Sequence, residues 1–443
     1  MSQVLQRVAG VVPPYAVSAR GLTIRLADGR EIIDATGGAA VACIGHGNPR
    51  VKAAIAAQLD AIAYVHTSFF TVEATERLAE SLVGHAPGGL TKAMFLSGGS
   101  EAMEAALKVT RQYYLEIGEP RRTKFIARRQ SYHGNTIGAL GTQADSARAG
   151  AFAPFILDNF SSVSPAYAYR HQRGDETEAG YVARLAAELD AEFERLGPDS
   201  VAAFIAETVI GSTVGAVTAP AGYFRAMREV CDRHGALLIL DEVFCGMGRT
   251  GAMHAWEHEG VAPDIQTIAK GLGAGYQPIA AILVQRRIAE AIAAGSGTLW
   301  HGHTYTGHPV ACAASLAVQQ VLAEDRLVDN ARAMGLRLRE ALDRRFGDHP
   351  HVGDIRGRGL LVAIELVADR ATRAPFTAEA QMHARIKREA LDRGLATYTR
   401  GGTADGRIGD HALLAPPYII TPSEVDRIVD ILGAAVDAAV GSR

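Results

Sequence analysis

The sequence predicts an α/β fold with a mainly parallel central sheet. Three observations point there. Strand-like apolar runs alternate with helix-like segments over most of the chain. The chain has 443 residues, too many for one typical compact domain, so two domains or one large α/β unit are expected. Two apolar runs, 237–243 and 267–273, lead into charged side chains, Asp241 and Lys270, as strands do when they feed a common sheet edge.

Taken in order, residues 22–26 and 31–34 flank Ala27-Asp28-Gly29-Arg30, and the Asp-Gly pair marks a hairpin. Residues 49–63 read as a helix with proline in its first turn. Residues 92–96 read as a strand and 101–117 as a helix, with Met103, Leu107, Thr110 and Tyr114 on one stripe. Stretches 123–127, 201–206, 236–240, 265–268 and 279–284 read as further core strands. Residues 309–323 form a strongly apolar helix. Residues 327–346 are longer and more charged, as a helix bridging to a second domain would be. Residues 359–366 are apolar enough for a strand. Residues 381–393 and 423–440 are amphipathic helices; Pro422 precedes the last, and Ser423 is its expected cap.

Composition narrows the class. Hydrophobic residues make up 48% and charged residues 21%, an ordinary globular balance. Formal net charge is −3 with no long basic run, which argues against a nucleic-acid partner. Cys43, Cys231, Cys245 and Cys312 show no CxxC spacing, so buried thiols are expected and not a disulfide framework or zinc site. His301, His303 and His308 lie in a Gly- and Thr-rich loop without acidic neighbours, and no metal site is expected there. No signal peptide or membrane-spanning run stands out, so a cytoplasmic protein is expected.

Asp241 and Lys270 carry the chemistry. A buried carboxylate and a buried lysine are costly unless they hold something. Pyridoxal 5′-phosphate (PLP) fits both: its aldehyde forms a Schiff base with a lysine amine, and its pyridinium nitrogen needs an anionic partner. Taken singly, a strand-end aspartate is more often a cap or salt bridge, and a lysine after a strand a surface residue. The pair favours the cofactor. Gly99 and Ser100 add a strand-to-helix turn whose free N–H groups and hydroxyl suit a phosphate.

These segments, with Ser97-Gly98-Gly99-Ser100-Glu101-Ala102, Tyr132-His133-Gly134, Glu207 and His301-Gly302-His303-Thr304-Tyr305-Thr306-Gly307-His308-Pro309, make the chain resemble the class III (ω-amino acid or acetylornithine-type) PLP-dependent aminotransferases from about Tyr15 onward. The resemblance implies PLP-dependent transferase fold type I (aspartate aminotransferase-like). It implies a large PLP-binding domain at 64–325 and a small α+β domain made of 1–63 plus 326–443. Lys270 would be the Schiff-base lysine and proton shuttle, and Asp241 the partner of the pyridine nitrogen. Tyr132 would stack on one ring face and Val243 on the other, although an ordinary core tyrosine reads as well from the segment alone. Glu207 would lie near the ring hydroxyl, or serve as a strand-end salt bridge. Gly98 replaces a polar residue of the family, removing one phosphate donor.

The same resemblance has Thr304 reaching across an interface to the partner's cofactor phosphate, so a homodimer with interfacial sites is implied, with tetramers open. Arg400 and Arg407 are both candidates for the substrate carboxylate, or are solvated loop arginines. Ala40 stands where amine-preferring relatives carry a bulky aromatic, which widens one pocket unless Phe69, Phe70 or a partner side chain refills it. The expected reaction moves an amino group from an ω-amino acid, diamine or other primary amine to a keto acid such as pyruvate or 2-oxoglutarate. Rivals are a PLP-dependent decarboxylase, racemase or aminomutase. A nucleotide protein using Gly271-Leu272-Gly273-Ala274-Gly275 is weaker, since that run lacks the full GxGxxG pattern. A non-catalytic PLP-binding dimer gains no support from intact Lys270, Asp241 and Glu207.

Overall fold

The structure is a computed structural model and describes residues 2–84, 87–143 and 147–441. Its centre is a seven-stranded sheet: β1 (Leu90–Leu96), β2 (Lys124–Arg128), β3 (Phe160–Val163), β4 (Val201–Glu207), β5 (Leu237–Asp241), β6 (Ile265–Ile268) and β7 (Ala280–Gln285). The spatial order is β1-β7-β6-β5-β4-β2-β3. Only β7 runs antiparallel to its neighbours.

Strands β4, β5 and β6 are buried along their whole length, as strands covered on both faces must be. Alternate residues serve opposite cores. Phe204, Leu238 and Leu240 pack with Leu185, Leu189 and Phe193 of helix Glu178–Leu196 and Phe224 of helix Tyr223–Arg233. Ile205, Leu237 and Ile239 pack on the other side with Met103, Ala106 and Val109 of helix Gly99–Glu116. The period of two along each strand thus feeds two apolar layers.

A second sheet is antiparallel and pairs Val352–Arg358, Leu361–Leu366, Asp410–Leu414 and Tyr398–Gly401 in that order. Helices Leu327–Phe346, Met382–Asp392 and Pro422–Gly441 cover it. They share one core with Leu22, Ile33 and Val51 from the N-terminal region. The hairpin around Asp28-Gly29 forms between Thr23–Leu26 and Glu31–Asp34.

Some local expectations need correction. The last helix begins at Pro422, and its cap is Thr421 instead of Ser423. Thr421 N and Oγ1 donate to Glu424 Oε2 (2.8 and 2.7 Å) while Glu424 N reaches Thr421 Oγ1 at 3.4 Å, a reciprocal capping box. The strand expected from residue 359 starts at Leu361, because Gly359 turns at φ 58 where an added Cβ would sit 2.4 Å from the Thr250 backbone. Helices Glu178–Leu196 and Tyr223–Arg233, each buried along one face, and the short strand β3 add to the expected elements. Among the described residues, no helix is long and apolar enough to cross a membrane.

Candidate active site

Parallel register builds the site. Asp241 at the end of β5 pairs with Glu207 at the end of β4 and with Thr267 of β6. Two carboxylates and a hydroxyl therefore meet at one sheet edge. Beyond β6 the chain reaches Lys270 in a left-handed conformation, φ 43. That strain turns the backbone sharply where a lysine is delivered. Lys270 and Asp241 line one chamber of about 430 Å³ with Gly99, Ser100, Tyr132, His133, Glu207 and Val243.

The Asp241 carboxylate is held from three sides. It accepts from Thr267 Oγ1 (3.0 Å) and Val243 N (3.0 Å) through Oδ1. Its Oδ2 lies 2.8 Å from His133 Nδ1. Burial pushes the carboxyl upward, but the His133 hydrogen bond and charge, the Val243 N–H and the charge of Lys270 outweigh it and hold the carboxyl below its ordinary value. Asp241 is therefore anionic at neutral pH. The other ring nitrogen of His133 is buried and has no hydrogen-bond partner among the described residues.

Glu207 serves a different purpose. Its Oε1 accepts from Tyr132 N (3.0 Å) and its Oε2 from Gly211 N (2.8 Å), so it clamps two chamber walls. Burial raises its proton affinity; Asp241 adds to the rise, while His133 and the two N–H donors oppose it. Lys270 moves the other way. Burial lowers its pKa, and the nearby Asp241, Glu207 and Cys245 only partly restore it. The amine stands 4.7 Å from the Phe244 ring centroid. A lysine so placed is more available as a neutral nucleophile or base than one in water.

Another wall of the same chamber is a donor nest. Helix Gly99–Glu116 starts there, with its first N–H groups free of intrahelical partners and acidic Glu101 in the first turn. Ser100 Oγ accepts from Asn135 N at 3.0 Å, which leaves its hydroxyl hydrogen to donate elsewhere. Gly134 permits this approach: at φ 133, an added Cβ would lie 2.8 Å from Ser100 Oγ. Gly99 is equally confined, since a Cβ there would meet Val243 Cγ1 at 3.0 Å.

The donor set suits PLP. Anion donors, an ionised carboxylate and an amine lining one chamber match phosphate, pyridine nitrogen and aldehyde respectively. Tyr132 and Val243 supply walls.

Sequence reasoning gave His133 no role, and it also missed Ser212, Phe244 and Gln277, which line the chamber. Ala40 is buried at φ 63 against Val209, Phe244 and Leu413, and its neighbour Val41 is the residue that lines the chamber. Phe69 and Phe70 are exposed and lie outside the chamber lining. Thr304 is also exposed and outside it; its carbonyl accepts from Tyr64 Oη at 2.8 Å, and it lines a separate cleft with Phe70 and Trp300. Neither loop arginine enters the chamber. Arg400, half-buried on Tyr398–Gly401, lines a second cavity, and Arg407 is exposed.

Comparison with known proteins agrees with this chemistry. Residues 6–436 match the family Aminotransferase class-III. An aminotransferase of Gibberella zeae is 47% identical over 97% of this chain and 85% of its own length. An (S)-enantioselective ω-transaminase from Thermomicrobium roseum superposes with a TM-score of 0.91 at 35% identity, covering 97% of this chain and 93% of its own. The ω-transaminase of Pseudomonas jessenii, solved in complex with PMP, gives 0.92 at 34% identity with the same coverages.

Proposed function

The chain belongs to the class III aminotransferases, and on that premise we propose that it moves an amino group from an ω-amino acid, diamine or other primary amine to a keto acid such as pyruvate or 2-oxoglutarate. The cofactor of this reading is PLP, alternating with its amine form in a ping-pong cycle. One observation carries it: an anionic Asp241 and a lysine of lowered proton affinity line the same chamber.

When bound, PLP stabilises negative charge on the substrate carbon that bears nitrogen. The chain's own residues do the rest. Gly99 and Ser100 bind the phosphate through N–H and hydroxyl donors. Asp241 keeps a proton on the pyridine nitrogen, and His133, Thr267 and Val243 N keep Asp241 in place. Tyr132 and Val243, both on the chamber wall, would flank the ring. Lys270 Nζ takes the proton from the amine-bearing carbon of the donor and returns one to the acceptor carbon in the second half of the cycle. Glu207 positions Tyr132 and the 211 turn, and bears on charge near the ring.

In this reading Arg400 or Arg407 meets a substrate carboxylate, Ala40 leaves room in the pocket, and Thr304 completes the phosphate site of a second copy in a homodimer. The enzyme is cytoplasmic, with a large domain at 64–325 and the remainder as the small domain. The test is a panel of amine donors against pyruvate and 2-oxoglutarate, with single turnovers followed by the visible absorbance of the cofactor. Donor-dependent bleaching that keto acid reverses is the expected result. Carbon dioxide release from one amino acid, or isomerisation without keto acid, would replace this reading with decarboxylation, racemisation or amine shift.

A further inference from the structure

We propose that Arg356 is a positioning residue for the reaction: from the antiparallel sheet it holds the turn that brings Ser212 into the cofactor chamber and Gly211 onto Glu207. This rests on the aminotransferase reading and deepens it by naming what fixes one wall of the site.

The turn follows β4 and joins the short paired strands Val209–Ile210 and Val217–Thr218. Gly215 N and Ala216 N close it on the Gly211 carbonyl (3.1 and 3.2 Å), with Gly215 at φ 71 and Ala216 at φ 55. An alanine in the left-handed region is strained, so its surroundings must hold it there. Val214 and Gly215 are buried, and their carbonyls need donors. Arg356 supplies them: Nε donates to Gly215 O (2.7 Å) and Nη2 to Val214 O. One guanidinium fork thus grips two successive carbonyls.

The other side of the turn reaches the site. Ser212 lines the chamber. Gly211 N donates to Glu207 Oε2 (2.8 Å), the carboxylate whose Oε1 accepts from Tyr132 N (3.0 Å). Thr213 faces the second cavity, of about 610 Å³, together with Arg129, Arg184 and Arg400, so the turn stands between the two cavities.

Arg356 is itself fixed from several sides. Its Nη1 donates to Asp354 Oδ2 (2.9 Å) and Glu365 Oε2 (2.5 Å). Glu365 is fully buried and also accepts from Tyr167 Oη and from Arg170 Nε (2.7 Å). Two cations and two carboxylates therefore balance. The guanidinium lies 4.9 Å from the Tyr167 ring centroid, and Tyr167 packs with Ile210, Val214 and Val217 of the hairpin. A Cβ at Gly215 would sit 2.7 Å from His411 Cδ2, so the turn is also confined by the antiparallel sheet. Desolvation offsets much of the attraction in a buried ion cluster, so such a cluster adds less stability than apolar packing. Its contribution here is direction: fixed donors aimed at fixed carbonyls.

The experiment compares holoenzyme with its Arg356→Lys variant, which keeps the charge and loses the fork. The readouts are amide hydrogen exchange over residues 209–216, and kcat and KM for an ω-amino acid and for a methyl-ended amine of the same length. We expect exchange at 209–216 to quicken at least about tenfold while β5 keeps its protection. We expect kcat to fall at least about fivefold for both donors, and the carboxylate-to-methyl ratio of kcat/KM to hold. In a Glu207→Gln background, where the side chain can no longer accept from both N–H groups, the kcat effect of Arg356→Lys should shrink below about twofold. Tyr167→Phe removes one donor from Glu365 and should move exchange and kcat in the same direction by less; this arm serves if Arg356→Lys fails to fold. Unchanged exchange at 209–216 in a folded variant would overturn the proposal. So would a kcat loss equally large with and without the Glu207 carboxylate, or a shifted donor ratio, which would make Arg356 a substrate contact. Failure of every donor with wild type would sink the aminotransferase reading instead, and the exchange result would still judge the hold on the turn.

Discussion

The two neighbouring cavities differ in where their charges come from. In the cofactor chamber, Glu207 and Asp241 are strand ends, locked side by side by parallel register, and each carboxylate is held by two or three hydrogen-bonding partners. In the arginine cavity the charges come from a helix (Arg184), a short strand (Arg400) and turns (Arg129 and Asp405), and the Arg400 guanidinium has no hydrogen bond or ion pair among the described residues. The first is preorganised for a single group of fixed shape. The second offers one strong, unspent interaction. Adjacent strand ends of one sheet suit a cofactor that must be held in one pose, whereas the second cavity is assembled from a helix, a short strand and turns that no common register locks.

Substitutions in the chamber should break that contrast in a graded way. Lys270→Ala removes the proton carrier and should lower kcat by at least about 10³-fold in steady-state assays with any donor. Methyl-ended and carboxylate donors should suffer alike, because the lesion lies upstream of substrate choice. Asp241→Ala should follow. It strips the anion from a buried network and leaves His133 and Thr267 without their acceptor, a loss of about 3–5 kcal/mol. Cofactor titration should show this as weakened binding, and wild-type affinity would remove Asp241 from the scheme. His133→Phe deletes one charge-assisted hydrogen bond to Asp241, about 1.5–3 kcal/mol. The loss should appear in cofactor affinity, and the carboxylate-to-methyl donor ratio should not move.

The smallest effect is a pH dependence. Lys270 has a folded-state pKa below its ordinary value of 10.5. Between the two values the unfolded chain binds a proton that the folded chain does not, so stability of the cofactor-free protein rises with pH there. It falls again as pH drops through the folded value. Lys270→Met should flatten this slope, as read by thermal unfolding of the cofactor-free protein across that window.

The same contrast explains what could be read from the sequence. Runs such as 237–243 announce a buried strand by their apolar character, and a carboxylate at the end of such a run is conspicuous. The Asp241–Lys270 pairing, the Gly99-Ser100 turn and the Glu207 strand end were legible for that reason, and the structure brings all of them to one chamber. His133 was not. Its contact with Asp241 spans 108 positions and depends on the order of strands across the sheet, which no local pattern encodes. The fate of Arg400 and Arg407 was open for a similar reason. They flank a loop whose path is set by backbone bonds such as Gly402 N to Gly409 O (2.8 Å) and Ala404 N to Ile408 O (2.9 Å), so spacing alone could not say which one is half-buried. Ala40 is buried with a left-handed backbone, and its neighbour Val41 lines the chamber, a placement that depends on a turn no local pattern announces.

The central claim is that the amine of Lys270 is the point of covalent attachment. Borohydride reduction of the holoenzyme followed by proteolysis and mass spectrometry tests it directly. The account predicts one modified peptide, containing Lys270 and carrying the added mass of the reduced cofactor. The same mass on another lysine, or on none, would contradict it.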